Sequence, residues 1–405
     1  MKQFDLAIVG AGAAGMMAAI TASEAGKRVA LIDRNPQIGR KVLATGNGRC
    51  NLTNRFVDVH RYHGASPEFI DTVLRRFDQS ATMDFFENLG LVLKEEDNGR
   101  IFPRTNQASS VVEAMRLRLM DLGVTLILDA QVVGIAPSQG WDVSFKDGDR
   151  IHSHNLILAT GGRAAHYLGS TGDGLYWAQK LGHTLTPIFP ALVPVETLET
   201  WPKEVQGIKV SARVSATSDA VSTGESSGDM LFTSYGLSGP SVMALSRGIA
   251  PFLKESAARI HIDLLPEFDA RALDELLIRL LACRGKTTAE SLIGLLPQNL
   301  IPIVLRVANV DGNHRSCEVP RHDRARIAAI LKDLILTPSK LRPLKEAQVT
   351  AGGVSAEEID PETLQSRLVP NLFFAGEIVD VDGDSGGFNL QWAWSSGRIA
   401  GLLCE

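Results

Sequence analysis

A glycine-rich turn near the amino terminus constrains the fold of this chain more than any other feature. The stretch VGAGAAG places Gly10, Gly12 and Gly15 in G-x-G-x-x-G spacing, after the apolar stretch FDLAIV and before residues 13–25, which favour helix. The first glycine permits a tight turn, the second lets the backbone approach a pyrophosphate, and the third lets helix and strand pack closely. The N-terminus of the following helix offers free N–H groups to phosphates. The sequence therefore predicts a Rossmann-type unit that binds a dinucleotide.

A second apolar stretch, RVALIDR, ends in an acidic residue at the place where such a unit needs one. Continuous apolar strands of this kind are typical of a parallel sheet that is buried on both faces. Asp33 follows the glycines by about twenty residues, the spacing at which a carboxylate contacts the ribose hydroxyls. The glycine motif alone does not distinguish NAD from FAD.

Two further stretches help to distinguish FAD from NAD. GRKVLATGNGRCNLTN, residues 39–54, places Arg40 and Lys41 soon after the ribose acid, with Gly46 and Gly48 where backbone can approach a flat or phosphorylated group. A solvated basic loop is the alternative interpretation. ILATGG has the pattern of a strand that runs into a glycine turn, and in two-dinucleotide flavoproteins such a strand returns the chain to the cofactor.

The carboxyl-terminal stretch GEIVDVDGDSGGFNLQWAWSSGRIAG predicts a glycine turn followed by a helix. Gly386 and Gly387 precede a helix that we expect to begin near Asn389, whose first N–H groups need acceptors. Reduced flavin carries negative charge around N1 and the C2 carbonyl, which a helix N-terminus would stabilise. Trp392 and Trp394 point in different directions on the helix, and we interpret both as core residues.

Small residues form one face of this last helix. Ala393, Gly397 and Gly401 are spaced four apart and therefore share a face. We expect that face to pack against the first Rossmann helix at its own small residues, Gly15 and Ala19.

Size and composition indicate a soluble multidomain protein. The chain has 405 residues, 44% hydrophobic and 21% charged, with a formal net charge of −5 and no basic block that would suggest nucleic acid or a membrane surface. The N-terminus lacks signal-peptide features, and the apolar runs are too short to span a membrane. The cysteines are far apart and form no C-x-x-C pair, which predicts a reduced cytoplasmic compartment and no metal site. They are Cys50, Cys283, Cys317 and Cys404.

The middle of the chain has a different pattern. Four prolines between residues 187 and 202 indicate a crossing between domains. Period-two alternation over residues 208–216 and 260–264 predicts half-buried antiparallel strands. Three predicted helices follow, and they cover residues 268–283, 288–308 and 321–335.

Five motifs together resemble the BaiN/YhiN-type flavoproteins, a family of NAD(P)/FAD-dependent oxidoreductases. They are GRKVLATGNGRCNLTN, GRIFPRTNQAS, FTSYGLSGPSV, VTAGGVS and LFFAGEIVDVDGDSGGFNLQWAWSSGRIAG. The motifs occur in the family's order, and the resemblance extends from residue 4 to residue 401. The family is related in fold to the flavin domains of fumarate reductase and succinate dehydrogenase, and one member is described as reducing a C=C bond in a bile-acid intermediate.

The resemblance implies an α/β fold: a Rossmann-like two-dinucleotide FAD-binding domain with an inserted β-rich domain that carries a helical subdomain. The implied FAD domain is discontinuous, residues 1–190 plus 342–405. The β-rich domain is expected at residues 191–265 plus 310–341, and the helical insertion at residues 266–335.

The motifs and the resemblance together predict the residues that contact FAD. From the first half of the chain these are Gly10, Gly12, Ala13, Ala14, Gly15, Asp33, Arg34, Arg40, Lys41, Thr45, Gly46, Gly48, Asn51, Val133, Thr160 and Gly161. From the carboxyl-terminal stretch they are Gly376, Glu377, Gly387, Phe388, Asn389 and Leu390. Asp173, before a helix expected to start at Leu175, has two interpretations: it holds water or backbone near the flavin, or it caps the helix.

Flavin chemistry on an unsaturated substrate requires a proton donor and a group that polarises a carbonyl. The candidates are Arg49, Cys50, Arg104, His166 and Tyr235. Each also has a purely structural interpretation: Cys50 as a small buried neighbour, Arg104 as an ion-pair partner, His166 as part of an exposed loop and Tyr235 as a packing residue in a turn. No single residue is selected.

Several functions remain open at this stage. The chain has no second G-x-G-x-x-G and no C-x-x-x-x-C pair, so NAD(P)H binds transiently or another donor reduces the flavin. The favoured function is an FAD-dependent reductase of an unsaturated or keto small molecule. The alternatives are an oxidase or dehydrogenase of an amine or alcohol, and a flavin-binding module in RNA modification, which predicts a basic face. The substrate and the oligomeric state are undetermined.

Overall fold

The computed structural model describes residues 2–218, 221–255 and 258–402. The chain forms two compact units: Met1–Phe189 with Gln348–Glu405, and Pro190–Ala347. Cys404 lies outside the described residues. Within the described ranges, no helix has both the length and the apolar character needed to cross a bilayer.

The first part of the first unit alternates strands and helices. Its strands are β1 (Lys2–Val9), β2 (Val29–Ile32), β3 (Thr53–Asn54), β4 (Tyr62–Gly64), β5 (Leu93–Glu96), β6 (Arg100–Pro103), β7 (Thr125–Ile127), β8 (Val132–Pro137), β9 (Trp141–Phe145) and β10 (Arg150–Leu158). Its helices are α1 (Ala13–Glu24), α2 (Arg40–Ala44), α3 (Pro67–Arg76), α4 (Gln79–Asn88), α5 (Ala108–Asp121) and α6 (Asp173–Lys180). The short strand β11 (Phe189–Ala191) follows at the junction of the two units.

The second unit is built on a seven-stranded antiparallel sheet with the order β17-β16-β13-β14-β15-β12-β18. Its strands are β12 (Val195–Thr197), β13 (Lys209–Ser218), β14 (Val221–Thr233), β15 (Gly236–Ser238), β16 (Ala258–Asp263), β17 (Leu334–Leu336) and β18 (Pro338–Leu341). Its helices are α7 (Pro240–Ile249), α8 (Ala270–Leu281), α9 (Thr288–Ser291), α10 (Ile301–Val307) and α11 (Arg321–Lys332). Ala212, Val214 and Ala216 are buried on one face of β13, as the alternation predicted.

The chain then returns to the first unit and completes its sheet. The returning elements are β19 (Val349–Ala351), β20 (Leu372–Phe374), β21 (Val381–Gly383) and α12 (Phe388–Leu402). The main sheet has the order β7-β2-β1-β10-β9-β8, with β20 also paired to β10. The strands β7, β2, β1, β10 and β20 are parallel, and β9 and β8 are antiparallel. The Rossmann-type α/β fold predicted from the glycine motif is therefore confirmed.

Some predicted elements differ from those observed. The apolar stretch VTLILDAQVVGI, whose pattern favours one strand, forms two, because the Asp129 backbone is left-handed (φ 54°) and Ala130 N–H donates to Asp33 O. The helix expected over residues 288–308 is two short helices, separated by a stretch that contains Pro297. Residues 334 and 335, expected to end the helix over residues 321–335, belong to β17 instead. These breaks depend on contacts with distant residues or on proline, which periodicity does not detect.

Helices α1 and α12 pack backbone against backbone. A Cβ atom on Gly397 would lie 2.4 Å from Ala14 O, and one on Gly401 would lie 2.6 Å from Ala18 O. The small face of α12 therefore does contact α1, but the expected partners, Gly15 and Ala19, were wrong by one position. A Cβ on Gly15 would lie 1.8 Å from Gly10 O, so that residue faces the glycine turn instead.

The close helix contact predicts a loss of stability in the variant Gly397→Ala. Alanine favours a helix over glycine by about 1 kcal/mol, but overpacking against a backbone oxygen costs about 1–3 kcal/mol. We expect the free energy of unfolding, measured by urea denaturation followed by circular dichroism, to fall. The control is Gly134→Ala, whose Cβ would meet nothing within 4 Å. A Gly397→Ala protein as stable as this control would contradict the packing.

Candidate functional site

The glycine turn between β1 and α1 leaves an open space at the start of the helix. Gly10 has φ 107°, and a Cβ there would lie 2.3 Å from Ala159 O, so Gly10 and Gly15 are required by close packing. Gly12 differs, because a Cβ at that position would meet no atom within 4 Å. Gly12 is also the N-cap of α1 and makes no side-chain capping hydrogen bond. The helix N-terminus is therefore accessible to an anion.

Asp33 joins the end of β2 to this turn. Its Oδ2 atom accepts from Ala11 N–H at 2.7 Å, and its Oδ1 atom accepts from Asn35 N–H at 2.8 Å. Asn35 Nδ2 also donates to Oδ1 at 2.9 Å, which uses both lone pairs of that oxygen, so Oδ2 keeps the one lone pair that can accept from a ribose hydroxyl. Asn35 in turn accepts from Arg40 Nη1 at 2.7 Å. Arg40, predicted to contact FAD, thus has a protein partner in this network.

Arg34 is held by the segment before α6. It donates to Thr171 Oγ1 and pairs with Asp173 Oδ2, both at 2.8 Å. The interpretation of Asp173 as a helix cap was wrong: α6 begins at Asp173 itself, two residues earlier than expected, and Gly172 is its N-cap. The expected helix start at Leu175 was therefore also wrong. Asp173 instead balances the charge of Arg34.

Three distant stretches meet at Glu377. Lys41 forms an ion pair with Glu377 Oε2, and Thr350 N–H donates to Oε1 at 2.7 Å. A Cβ on Gly161 would lie 3.9 Å from Glu377 Oε2. The structure therefore brings together Lys41, Gly161 and Glu377, which the sequence assigned separately to the cofactor.

The loop after α2 carries a buried acceptor without a donor. In the loop, Cys50 N–H donates to Thr45 O at 3.0 Å, and Gly46 and Gly48 are exposed. The next residue, Asn51, has a buried Oδ1 atom that makes no hydrogen bond within the described part of the chain. Buried acceptors are nearly always satisfied by protein, water or a bound molecule, so this atom is free to accept from an N–H group of a ligand.

The turn before α12 is fixed by its own side chains. Asn389 Oδ1 accepts from Gly383 N–H at 2.8 Å, and its Nδ2 donates to Gly383 O at 2.7 Å. A Cβ on Gly387 would lie 2.5 Å from Thr53 O and 3.1 Å from Asn51 Oδ1. Helix α12 begins at Phe388, one residue before the expected start. Its N-terminus therefore lies beside the loop that contains Asn51.

The remaining residues predicted to contact FAD differ in their exposure and in the groups that they contact. Val133 is 53% exposed and lies where the register of β8 with β9 shifts. A Cβ on Gly174 would lie 2.0 Å from Thr160 Oγ1, so Thr160 packs against α6. Gly376 N–H donates to Ser396 Oγ at 2.9 Å. The others are the half-buried Ala13 and Leu390 and the buried Ala14 and Phe388.

Sequence reasoning missed the buried residue that joins α12 to the 51–54 loop. Gln391 Oε1 accepts from Thr53 Oγ1 at 2.5 Å, and its Nε2 donates to Phe77 O at 3.1 Å. A glutamine among tryptophans in a mostly apolar helix was the available signal. The two indole N–H groups donate to backbone, Trp392 to Gly376 O and Trp394 to Leu52 O, so their interpretation as core residues is confirmed.

The catalytic candidates Arg49 and Cys50 have different surroundings in the protein. Arg49 pairs with Glu96 and stacks over the Phe102 ring at 4.2 Å. Burial raises the pKa of the Cys50 thiol to about 12, and its hydrogen bond with Thr45 only partly opposes this.

The other three catalytic candidates, Arg104, His166 and Tyr235, lie in other parts of the structure. Arg104 and His166 are exposed. Tyr235 belongs to the second unit, where the Arg342 guanidinium lies 4.6 Å from its ring centroid. The catalytic role of each candidate remains a prediction.

The residues of the first unit fit FAD. Gly12 and the uncapped N-terminus of α1 suit a pyrophosphate, and Asp33 suits a ribose. The unsatisfied Asn51 acceptor suits a flavin ring N–H, and it lies beside the start of α12. These groups come from both ends of the chain.

Comparison with known proteins gives one family and several relatives. A family model described as the HI0933-like protein Rossmann domain matches residues 4–403. A 3-dehydro-bile acid delta(4,6)-reductase of Clostridium scindens is 38% identical over 400 residues, 98% of each chain. A ribosomal RNA dihydrouridine synthase of Escherichia coli is 32% identical over 98% of this chain and 96% of its own length.

Two solved structures share the fold at low sequence identity. A 3-ketosteroid delta1-dehydrogenase from Sterolibacterium denitrificans is 12% identical, with a TM-score of 0.53 over 99% of both chains. A flavocytochrome c3 fumarate reductase is 19% identical, with a TM-score of 0.50 over 100% of this chain and 78% of its own. These likenesses concern the fold alone.

The raised thiol pKa predicts that Cys50 does not react in the folded protein. A thiol with a pKa near 12 stays protonated at pH 8, and the protonated form is a poor nucleophile. We expect iodoacetamide to label the exposed Cys283 and Cys317 but to label Cys50 only after urea unfolding. Peptide mapping by mass spectrometry measures this. Labelling of native Cys50 at the rate of the exposed thiols would show that its burial is wrong.

The open space at Gly12 predicts a binding defect without a folding defect. We expect Gly12→Ala to lower the urea midpoint of cofactor-free protein only slightly, because its Cβ meets no atom and only the N-cap preference for glycine over alanine is lost. The affinity for FAD should fall by about tenfold or more, because the methyl group takes the space where backbone approaches the pyrophosphate. FAD titration followed by absorbance measures the affinity. Gly294→Ala, with equally open surroundings, is the control; equal affinity in both variants would refute this assignment.

Proposed function

The chain belongs to the HI0933-like Rossmann-domain family, and from that premise we propose that it reduces a carbon–carbon double bond conjugated to a carbonyl group. It is an FAD-dependent oxidoreductase with a Rossmann-type FAD-binding fold. The observation that carries the proposal is the site formed by the N-termini of α1 and α12 with the unsatisfied Asn51 acceptor.

The named activities of the relatives have one chemistry in common. A delta(4,6)-reductase of a 3-dehydro-bile acid acts on double bonds conjugated with a 3-oxo group. Dihydrouridine forms from uridine by reduction of the C5–C6 bond, which is conjugated with the C4 carbonyl. Both reactions deliver a hydride and a proton across a polarised C=C bond. This shared chemistry supports a conjugated C=C bond as the target in this chain.

We propose that the first unit holds FAD through its backbone and a few polar side chains. The N-terminus of α1 at Gly12 would hold the pyrophosphate, and Asp33 would hold the ribose. Asn51 would accept from the flavin ring, and the N-terminus of α12 would stabilise negative charge on it. When bound and reduced, the flavin would supply a hydride from N5.

NAD(P)H is the proposed electron donor. The chain has one G-x-G-x-x-G motif, and the proposed FAD site already uses it. NAD(P)H would therefore bind transiently, without a dinucleotide domain of its own. A cytoplasmic location, where this donor is available and cysteines stay reduced, belongs to the same proposal.

A small molecule is the favoured substrate, and RNA is the second candidate. The net charge is −5, and Arg49, Arg55 and Arg61 each pair with a carboxylate of the same unit. Cations that are already neutralised contribute little to phosphate binding. The relatives named ribosomal RNA dihydrouridine synthase, at 32% and 29% identity, are the observation in favour of RNA.

Anaerobic stopped-flow with the purified yellow protein tests the proposal. We expect NADH or NADPH to bleach the visible absorbance of the flavin, and a 3-oxo-Δ4 steroid to restore it while gaining two hydrogens. The control acceptor is the saturated 3-oxo steroid, which should restore nothing. Reoxidation only by uridine-containing ribosomal RNA would favour the second candidate. Bleaching by an amine or alcohol, with hydrogen peroxide formed in air, would establish an oxidase and overturn the proposal.

A further inference from the structure

A histidine–aspartate pair lies at the turn that leads into α12. His63 Nε2 is 2.9 Å from Asp384 Oδ1, and Arg61 Nη1 is 3.4 Å from Asp384 Oδ2. Strands β4 and β21 are antiparallel and place His63 directly opposite Asp382. Asp384 N–H also donates to Arg61 O at 2.9 Å. Backbone hydrogen bonds on both sides therefore fix the imidazole relative to the carboxylate.

The same turn contacts the loop that contains the unsatisfied Asn51 acceptor. Asn54 Nδ2 donates to Gly386 O at 2.9 Å, and Gly387 packs against Thr53 O. Asn389 Nδ2 lies 3.3 Å from the Asp384 carbonyl oxygen, so the first turn of α12 holds the aspartate from the other side. The pair is thus built into the segment that we propose to contact the flavin.

One nitrogen of the His63 ring is oriented and the other is available. The side chains of His63 and Asp384 are 36% and 31% exposed. Nε2 faces the carboxylate, and in the described part of the chain no group hydrogen-bonds to Nδ1. A carboxylate that orients one ring nitrogen, with the other open, is the arrangement of a histidine that transfers protons.

Each of the other histidine–carboxylate pairs described in the first unit lacks either an available ring nitrogen or a position at the turn before α12. The His183 side chain is fully buried, with both ring nitrogens bonded, to Glu358 and Ser366. His152 pairs with Asp142 across β9 and β10, the antiparallel part of the main sheet, away from the turn before α12. Position and accessibility together therefore select His63.

We propose that His63 is the proton donor of the reduction; this rests on the proposed function. The hydride, which bound reduced FAD would supply from its N5–H bond while becoming oxidised, adds with its electron pair to the β carbon, and the π electrons of the C=C bond move onto the carbonyl oxygen as an enolate. The Nδ1–H bond of the His63 imidazolium then breaks, and its proton bonds to the α carbon. The neutral ring regains a proton from water, and NAD(P)H restores the reduced flavin. Asp384 holds the ring in the orientation that leaves Nδ1 for the substrate.

The charged and titratable neighbours of His63 are consistent with this role. Arg61 and Tyr62 adjoin it in sequence, Asp382 lies opposite it in β21, Asp384 faces its Nε2 atom, and Asp380 lies beside Gly64. Tyr62 is not the donor: burial raises the pKa of its phenol far above the usual value, and its O–H already donates to Phe388 O at 3.1 Å.

Transient kinetics of the flavin-loaded variants test the assignment. We expect His63→Ala to slow reoxidation of the reduced flavin by the 3-oxo-Δ4 steroid by about 10²–10⁴-fold, and added imidazole to restore part of the rate. Reduction by NAD(P)H should stay within about twofold of wild type, because it uses no substrate proton. His152→Gln, which removes a similar histidine–aspartate pair, should match wild type in both steps.

The two proposals fail in different ways. If wild-type flavin is reduced by NAD(P)H but no conjugated carbonyl compound reoxidises it, the proposed function is wrong. If the wild type is active and His63→Ala reoxidises at the same rate, or imidazole restores nothing, the assignment of His63 is overturned.

The ring tautomers give a measurement independent of activity. In the oxidised holoprotein, ¹⁵N NMR of neutral imidazoles should show the Nε2–H tautomer for His63 and the Nδ1–H tautomer for His152, because opposite nitrogens face their aspartates. Asp384→Ala should abolish the preference at His63 and leave His152 unchanged. A His63 ring in the Nδ1–H form, or one indifferent to Asp384→Ala, would overturn the assignment.

Discussion

The backbone contact between α1 and α12 is the constraint on which the site depends. Gly397 and Gly401 let the last helix approach Ala14 and Ala18 of the first helix without intervening side chains. Because α1 begins at the glycine turn and α12 begins beside Asn51, this contact fixes two helix N-termini in one unit. Opposite ends of the chain thereby contribute positive helix ends to the same cofactor region, where negative charge would be stabilised.

Many charges in this region are already neutralised by other parts of the protein. Lys41 pairs with Glu377, and Arg34 pairs with Asp173. Such pairs hold loops from distant parts of the chain in fixed positions, at the cost of desolvating both partners. In the proposed function, recognition of the dinucleotide is therefore left mainly to backbone N–H groups and to uncharged acceptors such as Asn51. This is consistent with a pyrophosphate site that uses a helix N-terminus instead of basic side chains.

In the proposed function, the elements around the turn before α12 divide the work of the reduction with the cofactor. The hydride would come from the cofactor, so the chain itself must supply position and a proton. The turn from Asp384 to Phe388 links the proposed proton donor to the start of α12 and to the 51–54 loop through Asn54.

The sequence by itself determined the Rossmann unit, the half-buried strands of the second unit and the small-residue face of α12. These are local patterns, since glycine spacing and residue periodicity depend only on neighbouring residues. The tertiary structure decided which residues meet: Ala14 in place of Gly15 against α12, Asp173 with Arg34, and Gln391 with Thr53. Such partners are separated by more than a hundred residues, and their contacts arise from packing that no local pattern encodes.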